Sequence, residues 1–205
     1  MSHIVEIFYS FQSPYCYLSF DRLATLGDRF DIDVLWQPLT VKSSSIGNSM
    51  MSEQQVSYIK EDATRLAKKC GLPLNFGDSN WPYSEFDPEK SIRGALVASD
   101  LGILYEYNIK MFQRWWDTAA DPNEQSFIIE LCDDLDIDPN EYSGKINSAD
   151  VRDRIRGLVK RSKTLGVFDI PMILIDKERF YGLDGITSAE EKLNSLGLRK
   201  LLKSV

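Results

Sequence analysis

Ile4-Val5-Glu6-Ile7-Phe8-Tyr9-Ser10-Phe11-Gln12-Ser13-Pro14-Tyr15-Cys16 is the stretch whose reading decides how this chain folds. Residues 3–10 are rich in β-branched and aromatic types and read as a strand. Ser13-Pro14 reads as the start of a helix. A serine there accepts a hydrogen bond from a free backbone N–H, and a proline at the first helical position lacks only an N–H that would have no partner. Such a tip gathers orphan N–H groups and the positive end of the helix dipole, so it favours an anion or a thiolate lying against it. The helix is expected from Pro14 to about Asp28, with Tyr17, Phe20, Leu23, Ala24 and Leu26 on its apolar side. Ile32 to Leu39 repeats the strand character, which makes a β-α-β crossover.

Outward from this unit the composition changes. Lys42 to Met51 is a Ser/Gly/Asn-rich loop, and Ser52-Glu53-Gln54-Gln55 has capping-box spacing. A helix follows to Cys70, closed by Gly71 and Pro73. An aromatic-rich loop holds Trp81 and Tyr83, and Asp87-Pro88-Glu89 opens a helix that continues through Leu104. Further helices are predicted over 105–117, 123–135, 139–146 and 149–165, the last stopped by Gly166. Strand-like sequence returns at Ile170 to Asp176 and Arg179 to Tyr181, and Ser188 reads as the cap of a final helix to Leu196. Pro171 suits a strand start, where a missing ladder donor is tolerated. The order predicts an α/β thioredoxin fold with a large all-helical insertion: residues 1–42 and 147–205 as the thioredoxin-like domain and 43–146 as the inserted helices.

Bulk properties narrow the function. The 205 residues are 43% hydrophobic and 11% aromatic, a composition that supports a substantial core. With 24 basic against 31 acidic residues the formal charge is −7, and no basic run exceeds two residues, which argues against nucleic acid or an anionic membrane as the main partner. The first ten residues lack signal-peptide character and no apolar run has the length of a membrane span, so a cytoplasmic protein is expected. Cys16, Cys70 and Cys132 form no C-x-x-C pair and suggest no disulfide framework. His3 is the sole histidine, which leaves no Ser-His-Asp or Cys-His arrangement and no histidine-rich zinc site. Asp134, Asp136 and Asp138 alternate as in a calcium loop, but Pro139 stands at its sixth position and Lys145 at its twelfth, so these acids read as solvated; no metal is expected. Trp81, Tyr83, Trp115 and Trp116 are candidates for an apolar substrate wall, with Trp116 better suited to the core.

Three segments, IFYSFQSPYCYLSFDRL, GVFDIPMILID and FYGLDGI, resemble the landmarks of the DsbA-like thioredoxin-fold superfamily. More narrowly the chain is similar to the branch of 2-hydroxychromene-2-carboxylate isomerases and kappa-class glutathione transferases. That branch typically shows Ser-Pro-aromatic-Ser, then Gly-Val-x-Gly-Val-Pro with a cis proline, then Gly-x-Asp-Arg. The resemblance implies glutathione as cofactor, a homodimer and an electrophilic, aromatic-derived small-molecule substrate. It gives Ser13 the hydroxyl that hydrogen-bonds the glutathione sulfur, Ile170 and Pro171 the contact to the cysteinyl backbone, and Asp184 the γ-glutamyl ammonium. Asn48 falls where a Gly-Asn side chain contacts glutathione. A free thiol has a pKa of about 8.5, and a helix tip with a hydroxyl donor favours its thiolate.

Three residues depart from that pattern. Gly185 stands in place of the Arg after Asp184, Gln55 in place of a Lys that meets a glutathione carboxylate, and Cys16 in place of Ser. Loss of two cations predicts weaker glutathione binding or a different thiol. Gln55 also reads simply as the capping-box partner of Ser52. The leading expectation is a glutathione-dependent isomerase or transferase. Cys16 keeps open a DsbA-like thiol-disulfide oxidoreductase acting through one cysteine, and a non-catalytic thioredoxin-fold binding protein is the third reading.

Overall fold

Strand β1 (His3–Tyr9) lies at the centre of the molecule because its side chains alternate between two cores. Val5 and Ile7 belong to one core and Phe8 to the other, and only at the strand end does Tyr9 break the alternation by joining the second core as well. Glu6, on the Phe8 face, is neutralised by Arg161 at 2.6 Å and accepts from Gln37. This period-two pattern is what a strand covered on both faces requires. A computed structural model describes residues 3–40, 51–77, 81, 89–121 and 124–200.

The crossover runs from β1 through helices α1 (Pro14–Ala24) and α2 (Leu26–Arg29) to strand β2 (Ile32–Pro38), parallel to β1. The single helix expected to Asp28 is thus two, broken at Thr25. Thr25 spends its hydroxyl on the Asp21 and Arg22 carbonyls, a local bond that competes with regular helix. Helices α3 (Glu53–Cys70), α4 (Glu89–Asp100), α5 (Leu104–Trp116), α6 (Gln125–Asp134) and α7 (Pro139–Ile146) follow, and α8 (Ala149–Thr164) leads back to the sheet. Both halves of the Ser52–Gln55 capping box are present, and Gly71 ends α3 at φ 69°. The helix expected through Leu104 stops at Asp100, where Gly102 (φ 75°) turns the chain before α5. Asp138 caps α7 rather than lying free, and Asp134 pairs with Arg114.

Strands β3 (Met172–Ile175) and β4 (Glu178–Tyr181) complete a sheet of order β2-β1-β3-β4, with β3 antiparallel to both neighbours. Helix α9 (Gly182–Ser195) starts six residues before the expected Ser188 cap, directly on β4. Its first amide, Gly182 N–H, donates to the Pro171 carbonyl at 3.0 Å, so the start is set across the hairpin. One core joins Val5, Ile7, Leu23, Leu26 and Phe30 to Ile186, Ala189 and Leu193 of α9. The other joins Phe8, Tyr9 and Phe11 to the helical block, including Tyr107, Phe112, Trp116 and Tyr142. The fold is thus the thioredoxin arrangement with a helical insertion, as expected.

Candidate active site

The loop between β1 and α1 is fixed before the helix begins. The Trp116 indole N–H donates to the Phe11 carbonyl and the Trp81 indole N–H to the Gln12 carbonyl, each at 2.9 Å. Ser13 N–H donates to the Ser10 carbonyl at 3.2 Å. Ser13 then takes an extended conformation, and its Oγ accepts the Cys16 N–H at 3.3 Å. This is the predicted N-cap, with Pro14 at the first helical position. The cap uses Oγ as an acceptor and leaves the hydroxyl proton to donate elsewhere. At the same tip the Tyr15 amide has no intrahelical acceptor, as helix geometry dictates.

Ser13, Pro14 and Tyr15 line a cavity of about 520 Å³, with Gln54, Gln55, Tyr58 and Ile59 of α3, Met51 before it, and Trp81. Asp169, Ile170 and Tyr181 also line it, from the segment before β3 and the end of β4. The Ile170–Pro171 peptide is cis. Asp169 is held from two sides: its Oδ1 accepts the Ile170 N–H at 2.8 Å and its Oδ2 the Tyr181 hydroxyl at 2.6 Å. Burial pushes the Asp169 carboxyl above the usual carboxylate range, while these two donors pull it back. Burial and the bond to Asp169 in turn raise Tyr181. Tyr15, raised by burial and by its own acid, donates to Asp62 at 2.9 Å.

Of the residues singled out in the sequence, Ser13 and Ile170 meet at this cavity, and Pro171 sits immediately beyond Ile170. Asp184 is exposed on the first turn of α9 and is not part of the lining. Asn48 and Tyr83 lie outside the described residues. Trp81 lines the cavity, whereas Trp116 is buried at 1% exposure and belongs to the core, as expected. Gln55 lines the cavity while its Oε1 accepts the Ser52 N–H at 2.8 Å, so the capping-box reading holds. At Gly185 a β-carbon would lie 2.8 Å from the Phe180 carbonyl carbon. No side chain fits there without moving the backbone, which explains physically why this position holds no arginine.

Sequence reasoning missed Asp169, Tyr181, Gln12 and Tyr58. For Asp169 a signal existed: in Gly166-Val167-Phe168-Asp169-Ile170-Pro171 it occupies the second glycine of Gly-Val-x-Gly-Val-Pro. Gln12 is buried with its Oε1 unpartnered, which only coordinates reveal.

Cys16 lies behind Ser13 at 1% exposure. Burial pushes its thiol up to about 12, against the weaker opposite pull of hydrogen bonds from the Ser10 backbone and the Ser13 side chain. A thiol that stays protonated and covered is a poor nucleophile. Iodoacetamide at about pH 8 is therefore expected to label the exposed Cys70 of the native protein and spare Cys16. Peptide mapping reads the outcome, and equal labelling of the two would contradict the burial argument. Because the unfolded thiol ionises first, the stability that this group contributes is present below about pH 9 and is lost as pH rises towards 12.

A profile of the DSBA-like thioredoxin domain matches residues 4–194, nearly the whole fold described above. The chain belongs to the DSBA-like thioredoxin family. Within this family it is 23% identical over 199 residues to a 2-hydroxychromene-2-carboxylate isomerase of Sphingobium xenophagum, covering 94% of this chain and 99% of the relative. A solved 2-hydroxychromene-2-carboxylate isomerase superposes with a TM-score of 0.80 at 21% identity, over 95% of this DSBA-like chain and 96% of the other. The cytosolic disulfide reductase DsbM of Pseudomonas aeruginosa, solved with GSH, gives 0.66 at 15% identity, over 93% and 99%. Isomerases and thiol oxidoreductases thus share this scaffold. No helix among the described residues of this DSBA-like chain is long and apolar enough to cross a membrane.

Proposed function

We propose that this DSBA-like protein is a thiol-dependent isomerase or transferase, in which Ser13 holds the sulfur of a small-molecule thiol such as glutathione as its thiolate. The observation that carries this reading is the Ser13 hydroxyl. It caps α1, can turn its proton from the buried Cys16 sulfur towards a bound one, and lines a cavity that Ile170, before the cis proline, also lines. The likeness to hydroxychromene-carboxylate isomerases supports an aromatic-derived small-molecule substrate, and the resemblance of the sequence motifs to that branch supports a homodimer.

When bound, the thiol supplies a nucleophile that adds reversibly to an electrophilic carbon and later leaves. The chain's own residues do the rest. Ser13 donates to sulfur, and the α1 tip with its Tyr15 amide favours the negative form. Trp81, Tyr58 and Ile59 offer the apolar surface that seats the substrate, so that positioning and charge stabilisation are the protein's part. Ile170, before the cis proline, offers backbone at the wall where the thiol's own main chain would lie. The buried Cys16 argues against the disulfide-exchange reading, since no attacking thiol stands at position 13.

The expected result is conversion of 2-hydroxychromene-2-carboxylate that rises with glutathione and is absent without a thiol, with a dissociation constant for glutathione of about 1 mM by titration calorimetry. Conversion at the same rate in thiol-free buffer would overturn the proposal.

A further inference from the structure

The cavity has an unusual charge character for a site that would take glutathione. Among its described lining residues Asp169 is the charged one, and no Lys, Arg or His joins it. The two positions where the family resemblance places a cation are otherwise occupied. Gln55 spends its amide oxygen on the α3 cap, and Gly185 has no room for a β-carbon. Four aromatic residues, Tyr15, Tyr58, Trp81 and Tyr181, line the same cavity, and Tyr181 is bonded to Asp169. Gln12 adds a buried amide oxygen with no hydrogen-bond partner.

Carboxylate, electron-rich ring faces and an unpartnered amide oxygen share one complement: an organic cation that also donates hydrogen bonds. A ligand carboxylate brought to Asp169 meets like charge and finds no cationic partner among the described lining residues. The geometry points to a ligand that carries an ammonium group, and no carboxylate, against Asp169 in this cavity. The inference rests on the thiol reading for its choice of probe, and for the thiol it means a net cationic rather than a dicarboxylate molecule. The raised carboxyl of Asp169 agrees with it, because a cation alongside is the partner that restores the ionised form inside a partly buried site.

The test is titration calorimetry of the full chain with three probes: glutathione, glutathione diethyl ester, and benzylammonium, a hydrogen-bond-donating cation without sulfur. The ester is expected to bind at least about tenfold more tightly than glutathione. Asp169→Asn, which keeps the shape of the side chain, is expected to remove most of that preference, and Asp169→Gly, which restores the glycine of the related pattern, to do the same. Two independent variants guard against a folding defect in either. Glutathione binding as tightly as its ester, unchanged by both variants, would overturn the inference and leave the thiol reading standing. Binding of benzylammonium and loss of it in Asp169→Asn, with both thiols silent, would sustain the cationic site and sink the thiol reading. Silence of all three probes would overturn both.

Discussion

Ser13→Ala is expected to lower thiol-dependent turnover by about two orders of magnitude while leaving ligand affinity within a few-fold. The reason is geometric. Its hydroxyl is the side-chain donor at the helix tip, and removal of one donor aimed at a developing anion typically reduces turnover about 10²- to 10³-fold. Ligand affinity rests on the rest of the cavity wall, so it moves little. The substitution also removes the α1 cap, a loss of about 1 kcal/mol in stability that a thermal melt registers separately. Ser13→Thr retains a hydroxyl and a cap, and it is expected to recover part of the turnover. Stopped-flow measurement of thiolate absorbance in the complex is the decisive reading. Wild-type and alanine proteins that ionise the bound thiol over the same pH range would remove Ser13 from the mechanism.

The second large effect is structural and reaches the site from a distance. Trp116 is buried at 1% exposure among Tyr17, Phe76 and Trp81, with ring centroids 6.3, 5.4 and 6.4 Å away. Trp116→Ala deletes that packing and is expected to destabilise the fold by about 3–5 kcal/mol. It also strips the Phe11 carbonyl of its donor, a further loss of about 1–3 kcal/mol where no water replaces it. For a chain of this length the melting temperature should fall by about 10 °C or more. Trp116→Phe keeps most of the volume and loses the N–H, so its melt separates packing from the hydrogen bond. An alanine variant that melts within 2 °C of wild type, a shift of less than about 1 kcal/mol, would mean that the loop before Ser13 is not anchored through this indole.

The parts of the fold readable from sequence are those fixed by near neighbours. The alternation along β1, the Ser13-Pro14 cap and the Ser52–Gln55 capping box each depend on residues within one or two turns. The errors share the opposite cause. The start of α9 at Gly182 depends on the carbonyl of Pro171, eleven positions back, which hydropathy along the helix does not register. The same holds for the site. Ser13 and Ile170 were visible through motifs, but the Asp169–Tyr181 bond needs the β3–β4 register, in which Met172 faces Tyr181. Gln12 looked like an ordinary loop residue because its lack of a partner is a property of the packed interior.

The close approach at Gly185 has a consequence for how this protein can change. A β-carbon at that position would meet three backbone atoms of Phe180, at 2.8, 3.3 and 3.4 Å. Main chain cannot swing aside as a side chain does, so every single substitution there is destabilising whatever its chemistry. An arginine following Asp184 is therefore out of reach by one mutational step: the junction between β4 and α9 would have to be re-spaced first, at a time when the new spacing confers nothing. The glycine acts as a ratchet in sequence space. Descendants of this chain that change ligand are steered towards altering the cavity lining, at Gln12, Gln55 and Asp169, and away from regaining a cation at the start of the last helix.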